Sequence, residues 1–339
     1  MTAVETAQPE RRTLTGALGT FTSRHAAVLP TIAAVAILIV LLVGAQMYFG
    51  NFLTARNMSA LLLDNAYLMV LAVGMTFVIV TAGIDLSVGS VMAFTGIFGA
   101  SLLASGVPLV IALPAMLVSG AAIGLLIGVL VQYFNVQPFI ASLAGLFLGR
   151  GLAFVVSLSS IRVEDPALLW LQSTRFRLGD WYITPTGIIA IVAVVIGALV
   201  MHFTRFGRTV YAVGGSAQSA RLMGLNVART TVMVYVISGL CGGLAGLVLT
   251  AYSGAGYPRN GIGTELDVIA VVVIGGTLLT GGRGYVLGSM IGVFVYGTIK
   301  TIISFMGAEQ SWTHIIVGGL LLLFIVVQRA IVARSERGS

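Results

Sequence analysis

Thr81-Ala82-Gly83-Ile84-Asp85-Leu86-Ser87-Val88-Gly89-Ser90 decides how the rest of the chain is read. The stretch is polar and acidic. It separates two apolar runs, Leu68 to Val80 and Val91 to Leu103. Both runs have the composition of membrane-spanning helix. A carboxylate at the centre of such a helix costs about 2.5–3.5 kcal/mol on insertion scales, so Asp85 needs a physical reason. Two are open. Asp85 caps the third span, accepting backbone N–H groups that would otherwise be orphaned. Or it stands beside a polar route, with Ser87 and Gly89 in the same hinge.

Composition agrees with a membrane as the main solvent. Hydrophobic residues make up 58% of the chain and charged residues 9%, where soluble domains carry about 25% charged residues. Mean hydropathy is +1.05. The fold class expected is all-α: a polytopic membrane protein of about ten transmembrane helices. The net charge of +7 does not point to nucleic acid, because no soluble domain gathers the basic residues. The single cysteine, Cys241, rules out an internal disulfide and reads as a small buried hydrophobe.

In order, residues 1–27 read as a cytoplasmic tail and 28–328 as the membrane domain. The spans are Val28–Phe49, Ser59–Val80 with an interruption at Asp64-Asn65, a third to Leu103, Leu109–Val131, Pro138–Ser157, Thr186–Phe203, Thr231–Ala251, Asp267–Leu279, Gly284–Ser304 and Trp312–Val327. Trp170 and Trp181, in the polar segment 158–185, are candidate interface anchors. Residues 204–230 form a basic cytoplasmic loop, and 329–339 a second tail. Ten spans put both termini on one side. Placing them inside gives the cytoplasm Arg11, Arg12, Arg24, Arg205, Arg208, Arg221, Arg229, Arg283, Arg329, Arg334 and Arg337. The outer side keeps five arginines and most of the acids, which satisfies the positive-inside rule.

Glycine is abundant, at 43 residues. Gly120, Gly124 and Gly128, then Gly242 and Gly246, then Gly284, Gly288 and Gly292 recur four apart, the spacing that lets helices approach closely in lipid. Gly83-Ile-Asp85-Leu-Ser-Val88 echoes Gly263-Thr-Glu265-Leu-Asp267-Val268. Copies five spans apart would be inverted in the membrane, and inverted repeats with broken helices are a transporter signature.

The basic loop carries its own pattern. Gly214-Gly215 precede Ser216, a good N-cap. Ala217 to Met223 follow as a short helix containing Ala220 and Arg221, and Gly224 ends it. Such a helix suits a partner's groove; a plain connecting loop is the bland alternative. No P-loop exists, since the only lysine, Lys300, follows isoleucine. His25, His202 and His314 stand apart, no metal constellation appears, and no catalytic arrangement is evident. No cofactor is expected on this chain, and any nucleotide hydrolysis belongs to another subunit.

Gly83-Ile-Asp-Leu-Ser-Val-Gly-Ser90, Tyr211-Ala-Val-Gly-Gly215 with Ala220-Arg-Leu-Met-Gly224, and Val273-Ile-Gly-Gly-Thr277 with Gly281-Gly282 occur in this order. Together they resemble the permease subunits of ribose-type sugar ABC importers, over about residues 30 to 330. Asp64-Asn-Ala-Tyr67, Ala72-Val-Gly-Met-Thr-Phe-Val78, Ala93-Phe-Thr-Gly96 and Ala251-Tyr-Ser-Gly-Ala-Gly-Tyr257 are similar to the galactofuranose branch. The resemblance implies a bacterial inner membrane and four kinds of neighbour: lipid, two ATP-binding-cassette ATPase subunits, a second permease (paralogue or identical copy) and a periplasmic sugar-binding protein. It implies that the segment around 216–224 is the coupling helix that rides in the ATPase groove. Candidate sugar contacts are Asn65, Phe94, Thr95, Phe98, Tyr252, Tyr257 and Asn260. Asp85, Ser87, Gly89, Glu265 and Asp267 are further candidates for the pathway and its hinges. The competing reading is an ion-coupled secondary transporter using Asp85 or Glu265.

Overall fold

The computed structural model describes residues 29–309 and 311–337, with side chains for 30–309 and 311–326. The expected tail 1–27 and Val28 lie outside the described residues.

Helix α1 is Leu29–Phe49. Helices α2, Ala55–Asp64, and α3, Ala66–Val80, meet at Asn65 with a 51° bend and together form one apolar path long enough to cross a bilayer. Then come α4, Val88–Ala104, α5, Leu109–Tyr133, and α6, Pro138–Val156. An excursion follows: strand β1, Ile161–Arg162, helix α7, Pro166–Ser173, and the hairpin β2, Phe176–Leu178, with β3, Trp181–Ile183. Helix α8, Pro185–Phe203, leads to two short helices, α9, Arg205–Gly215, and α10, Ala217–Leu222. Helix α11, Val227–Ser253, is followed by strand β4, Ala255–Gly256, antiparallel to β1. The last helices are α12, Thr264–Ile274, α13, Val286–Phe305, and α14, Ser311–Arg337. Six of them, α1, α5, α6, α8, α11 and α13, are singly long and apolar enough to cross.

Helix starts follow local chemistry. Pro185 opens α8 behind Thr184, whose hydroxyl accepts from the Gly187 amide. Pro166 does the same for α7 behind Asp165, which accepts from Ala167 and Leu168. Thr54, Thr204, Ser216 and Asn226 cap α2, α9, α10 and α11 with their side-chain oxygens.

Helix α3 is the buried centre; every residue from Leu68 to Val80 is buried. Helix α11 packs along α3, α4 and α5. A Cβ on Gly120 or Gly124 of α5 would overlap the carbonyl oxygens of Gly239 or Tyr235 on α11. Lipid offers no hydrophobic drive between helices, so this backbone-to-backbone approach and its dispersion hold the pair. Gly242 and Gly246 likewise seat α11 on α4, and Gly288 and Gly292 seat α13 on α12.

Some boundaries move. The break after α3 runs only over Thr81–Ser87, because Val88, Gly89 and Ser90 already belong to α4. Gly284 is no helix glycine: at φ +158° it precedes α13 and packs on Thr277. Helix α12 begins at Thr264, three residues before the expected Asp267. The loop 204–230 is mostly helical, because Thr204, Ser216 and Asn226 each start a new helix.

Candidate functional site

The α9–α10 segment is fastened to the end of the helical body. Gly214 fits against the carbonyl oxygen of Val80, where α3 ends, and beside the amide of Gly282. That amide donates to the Val80 carbonyl at 2.8 Å. Tyr211 donates its hydroxyl to the Gly284 carbonyl at 2.6 Å, and burial pushes its phenol well above the ordinary tyrosine range. Ala220 is fully buried against Val213 of α9 and Val227 of α11. Met223 follows α10, and Gly224, at φ +78°, turns the chain away. The outward face is Arg221, Leu222 and Met223, with Leu222 84% exposed. An apolar pair with a cation beside it thus stands exposed on this seat. Gly215 has open space around it.

The break Thr81–Ser87 re-enters the helical body. Asp85 is 1% exposed. One of its oxygens accepts from the Ser87 amide at 2.9 Å and the Ser87 hydroxyl at 2.6 Å. The other accepts from Ser238 of α11 at 2.7 Å. Asp85 thus shapes the turn before α4 and ties it to α11. Ser87 occupies the N-cap position and makes no side-chain cap bond; Asp85, two residues before it, accepts one backbone N–H there, that of Ser87.

Gly89, at the start of α4, lies against the Gly261 carbonyl and one carboxylate oxygen of Glu265, at the start of α12. That oxygen is buried and without a hydrogen-bond partner among the described residues. Glu265 accepts the Gly263 amide with its other oxygen at 3.3 Å. Beside them stands Arg150, in the middle of apolar α6. Its guanidinium donates to the carbonyls of Pro258 and Asn260, both at 2.7 Å, within electrostatic reach of Glu265. The signal for Arg150 was a lone charge inside a hydrophobic span, which the sequence reading passed over.

A third polar region lies on the far side of α12. Asp64, at the α2–α3 bend, accepts the Tyr252 hydroxyl at 3.1 Å. With Asn65, Tyr67, Lys300 and Thr301 they line a cavity of about 420 Å³. Asp267 accepts from Tyr296 at 3.0 Å and lies 3.7 Å from His314.

The structure therefore divides the expected residues into groups. Asn65 and Tyr252 share the cavity, with Asp267 next to it. Ser87 and Asp85 form the buried knot, and Gly89 meets Glu265. Thr95 is buried, bonded to the Val91, Met92 and Gly242 carbonyls in the α4–α11 contact. Phe94 is half-buried and stacks on Phe98 at 5.8 Å. No cluster of three metal-binding side chains occurs among the described residues.

Comparison with known proteins fits this geometry. The sequence model of the family described as branched-chain amino acid transport system / permease component matches residues 57–325. The chain is 43% identical over 312 residues to the fructose import permease protein FruG of Bifidobacterium longum, covering 90% of this chain and 92% of that one. It is 45% identical over 291 residues to the inner membrane ABC transporter permease protein YjfF of Escherichia coli, covering 85% and 88%. It is 37% identical over 296 residues to the ribose import permease protein RbsC of the same species, covering 86% and 91%. With a family match across most of its length and a helical body with several helices long and apolar enough to cross a membrane, the chain belongs to the family of ABC importer permease components, on its ribose-type sugar branch.

Proposed function

We propose that this chain translocates a neutral monosaccharide, galactofuranose-like or ribose-like, as one of two permeases in an importer powered by separate ATPase subunits. The observation that carries the reading is the seat of α9: Gly214 against Val80, with Leu222 and Met223 turned outward. A push on α10 therefore reaches the end of α3 and the break held by Asp85. The two nucleotide states select two permease conformations through their differential contacts with α10.

Ten spans with both termini cytoplasmic account for the helix order and the arginine distribution, if the α2–α3 pair, α4, α12 and α14 each count as one. An inverted five-span repeat is supported by the two short helices α4 and α12, each following an irregular segment, whose starts meet at Gly89 and Glu265. Arg150, Asn260 and Glu265 are too polar for lipid and suit a wet path between this permease and the second one. At the end opposite α10, Arg56, Arg175 and Arg177 gather around the β2–β3 hairpin and suit the acidic rim of a sugar-binding protein.

The test is uptake of radiolabelled D-ribose, D-fructose and D-galactose by proteoliposomes holding the permeases, the ATPases and the binding protein. Accumulation that requires ATP and the binding protein and stops with vanadate supports the reading. Accumulation that persists with vanadate and collapses with a protonophore alone overturns it in favour of ion coupling.

A further inference from the structure

We infer that the cavity between α2, α3, α11 and α13 is a binding site for a neutral monosaccharide, contained within one protomer and separate from the Arg150–Glu265 face. The inference deepens the reading of the chain as a sugar permease and rests on it.

The cavity has the volume and the chemistry for a sugar. At about 420 Å³ it falls within the range of small-molecule sites, about 300–1,000 Å³. Lys300 lies five residues before the end of α13, about 7.5 Å along the helix, so the site is shallow. Its walls combine both signs of charge with aromatic surface. Asp64 gives one oxygen to Tyr252; its other oxygen has no hydrogen bond among the described residues. No carboxylate among the described residues comes within 4 Å of Lys300, and its ammonium makes no hydrogen bond among them. The nearby Asp267 is engaged by Tyr296. Tyr67, Tyr252 and Phe305 are the aromatic residues of the lining.

A carboxylate with a free acceptor and an ammonium with free donors line one small, solvent-open cavity, so a ligand there finds a charged acceptor and a charged donor that no protein group takes up. Sugar hydroxyls answer both, because a hydroxyl can donate to Asp64 or accept from Lys300. An anionic sugar would gain at Lys300 and meet repulsion from Asp64 and Asp267; a cationic ligand would meet the reverse. The balanced charge selects a neutral polyhydroxylated ring, with the aromatic surfaces against its C–H face.

The choice of lysine supports this. Of 18 basic residues only this one is lysine. Arginine's planar fork matches a carboxylate or phosphate, whereas a lysine ammonium is a flexible point donor that adapts to hydroxyls.

The test uses the complete importer in nanodiscs, acylated with limiting N-hydroxysuccinimide acetate and read by peptide mass spectrometry. D-ribose, D-fructose and D-galactose are titrated separately, with ribose 5-phosphate as the charged control and the lysines of the ATPase subunits as internal reference. At about ten times its dissociation constant, a bound sugar slows Lys300 acylation about tenfold, since only the empty site reacts. Asp64→Asn weakens that protection, and in uptake it raises KM while kcat holds. A Lys300 rate flat across all three titrations overturns the site, as does a slowing shared by the reference lysines or equal protection by the phosphate. Uptake in the same particles, reconstituted into vesicles, separates the two levels. ATP-driven sugar uptake with no protection removes this site alone, whereas loss of uptake with protection intact removes the importer reading and leaves the site.

Discussion

Gly214 of α9 lies against the carbonyl oxygen of Val80, the last residue of α3, with no room for a Cβ between them. The Gly282 amide donates to that same oxygen. Three chain segments thus meet at one acceptor, and the meeting point stands between the exposed α10 and the Asp85 break.

Gly214→Leu therefore forces α9 off its seat. Overpacking of this kind costs about 1–3 kcal/mol. The expected outcome is a permease that still inserts and still recruits the ATPase, with uptake reduced about tenfold or more. Co-purification of the ATPase alongside sugar uptake checks it; full uptake at normal membrane levels contradicts the proposed linkage.

The proposed docking surface makes a sharper test than the residue that sequence alone suggests. Ala220 is fully buried, so a bulky charge there unseats α10 and lowers protein levels. Leu222 and Met223 are exposed, so Leu222→Asp with Met223→Asp leaves the permease folded. ATPase stimulation by the permease should fall about tenfold, the scale of losing about 1.4 kcal/mol of docking energy. ATPase assays in proteoliposomes decide it, and unchanged stimulation would sink the assignment.

Asp85→Ala strips the partners from the Ser87 amide and the Ser87 and Ser238 hydroxyls. Leaving buried donors unmet costs about 1–3 kcal/mol each. Asp85→Asn keeps one acceptor oxygen and should lose less. The expected order of membrane abundance and thermal midpoint is wild type, Asn, Ala, read by fluorescence-detected gel filtration after heating. Equal abundance of all three would mean the carboxylate serves the path rather than the turn.

Arg150→Gln removes a guanidinium that holds the Pro258 and Asn260 carbonyls and faces Glu265. Each of the two hydrogen bonds to the charged guanidinium is of the class worth about 1.5–3 kcal/mol. Uptake should vanish, and Arg150→Gln with Glu265→Gln should recover more protein than Arg150→Gln alone. Western blots of the two variants measure that difference.

Arg175→Glu with Arg177→Glu reverses charge on the exposed hairpin. Both side chains are exposed and lie outside the apolar helices, so insertion is kept. The KM for the binding protein should rise several-fold and lose most of its salt dependence. Uptake titrated with binding protein at two ionic strengths checks it.

Much of this was legible before any coordinates. The acid inside an apolar run located the break at Asp85, and Asp64-Asn65 located the bend between α2 and α3. Ser216 and Gly224 bounded α10 to within a residue or two, because caps and terminators are local chemistry. What stayed hidden depends on distant contacts. Arg150 finds its carbonyls more than 100 residues away. Asp64 meets Tyr252 across 188 residues, and the cavity exists only once α2, α11 and α13 are assembled. Thr95 drew attention as a polar residue in a span, yet its hydroxyl is absorbed by helix carbonyls. Phe94 and Phe98 were equally ambiguous, since aromatic rings serve packing and sugar stacking alike.

The contact of Gly214, Val80 and Gly282 is made by main chain alone. Nothing there can change rotamer, so the joint has no slack of the kind that side chains provide. Any tilt imposed on α10 must travel onward as rigid displacement, and such a joint is indifferent to the side chain that Val80 carries while permitting almost no substitution at the two glycines.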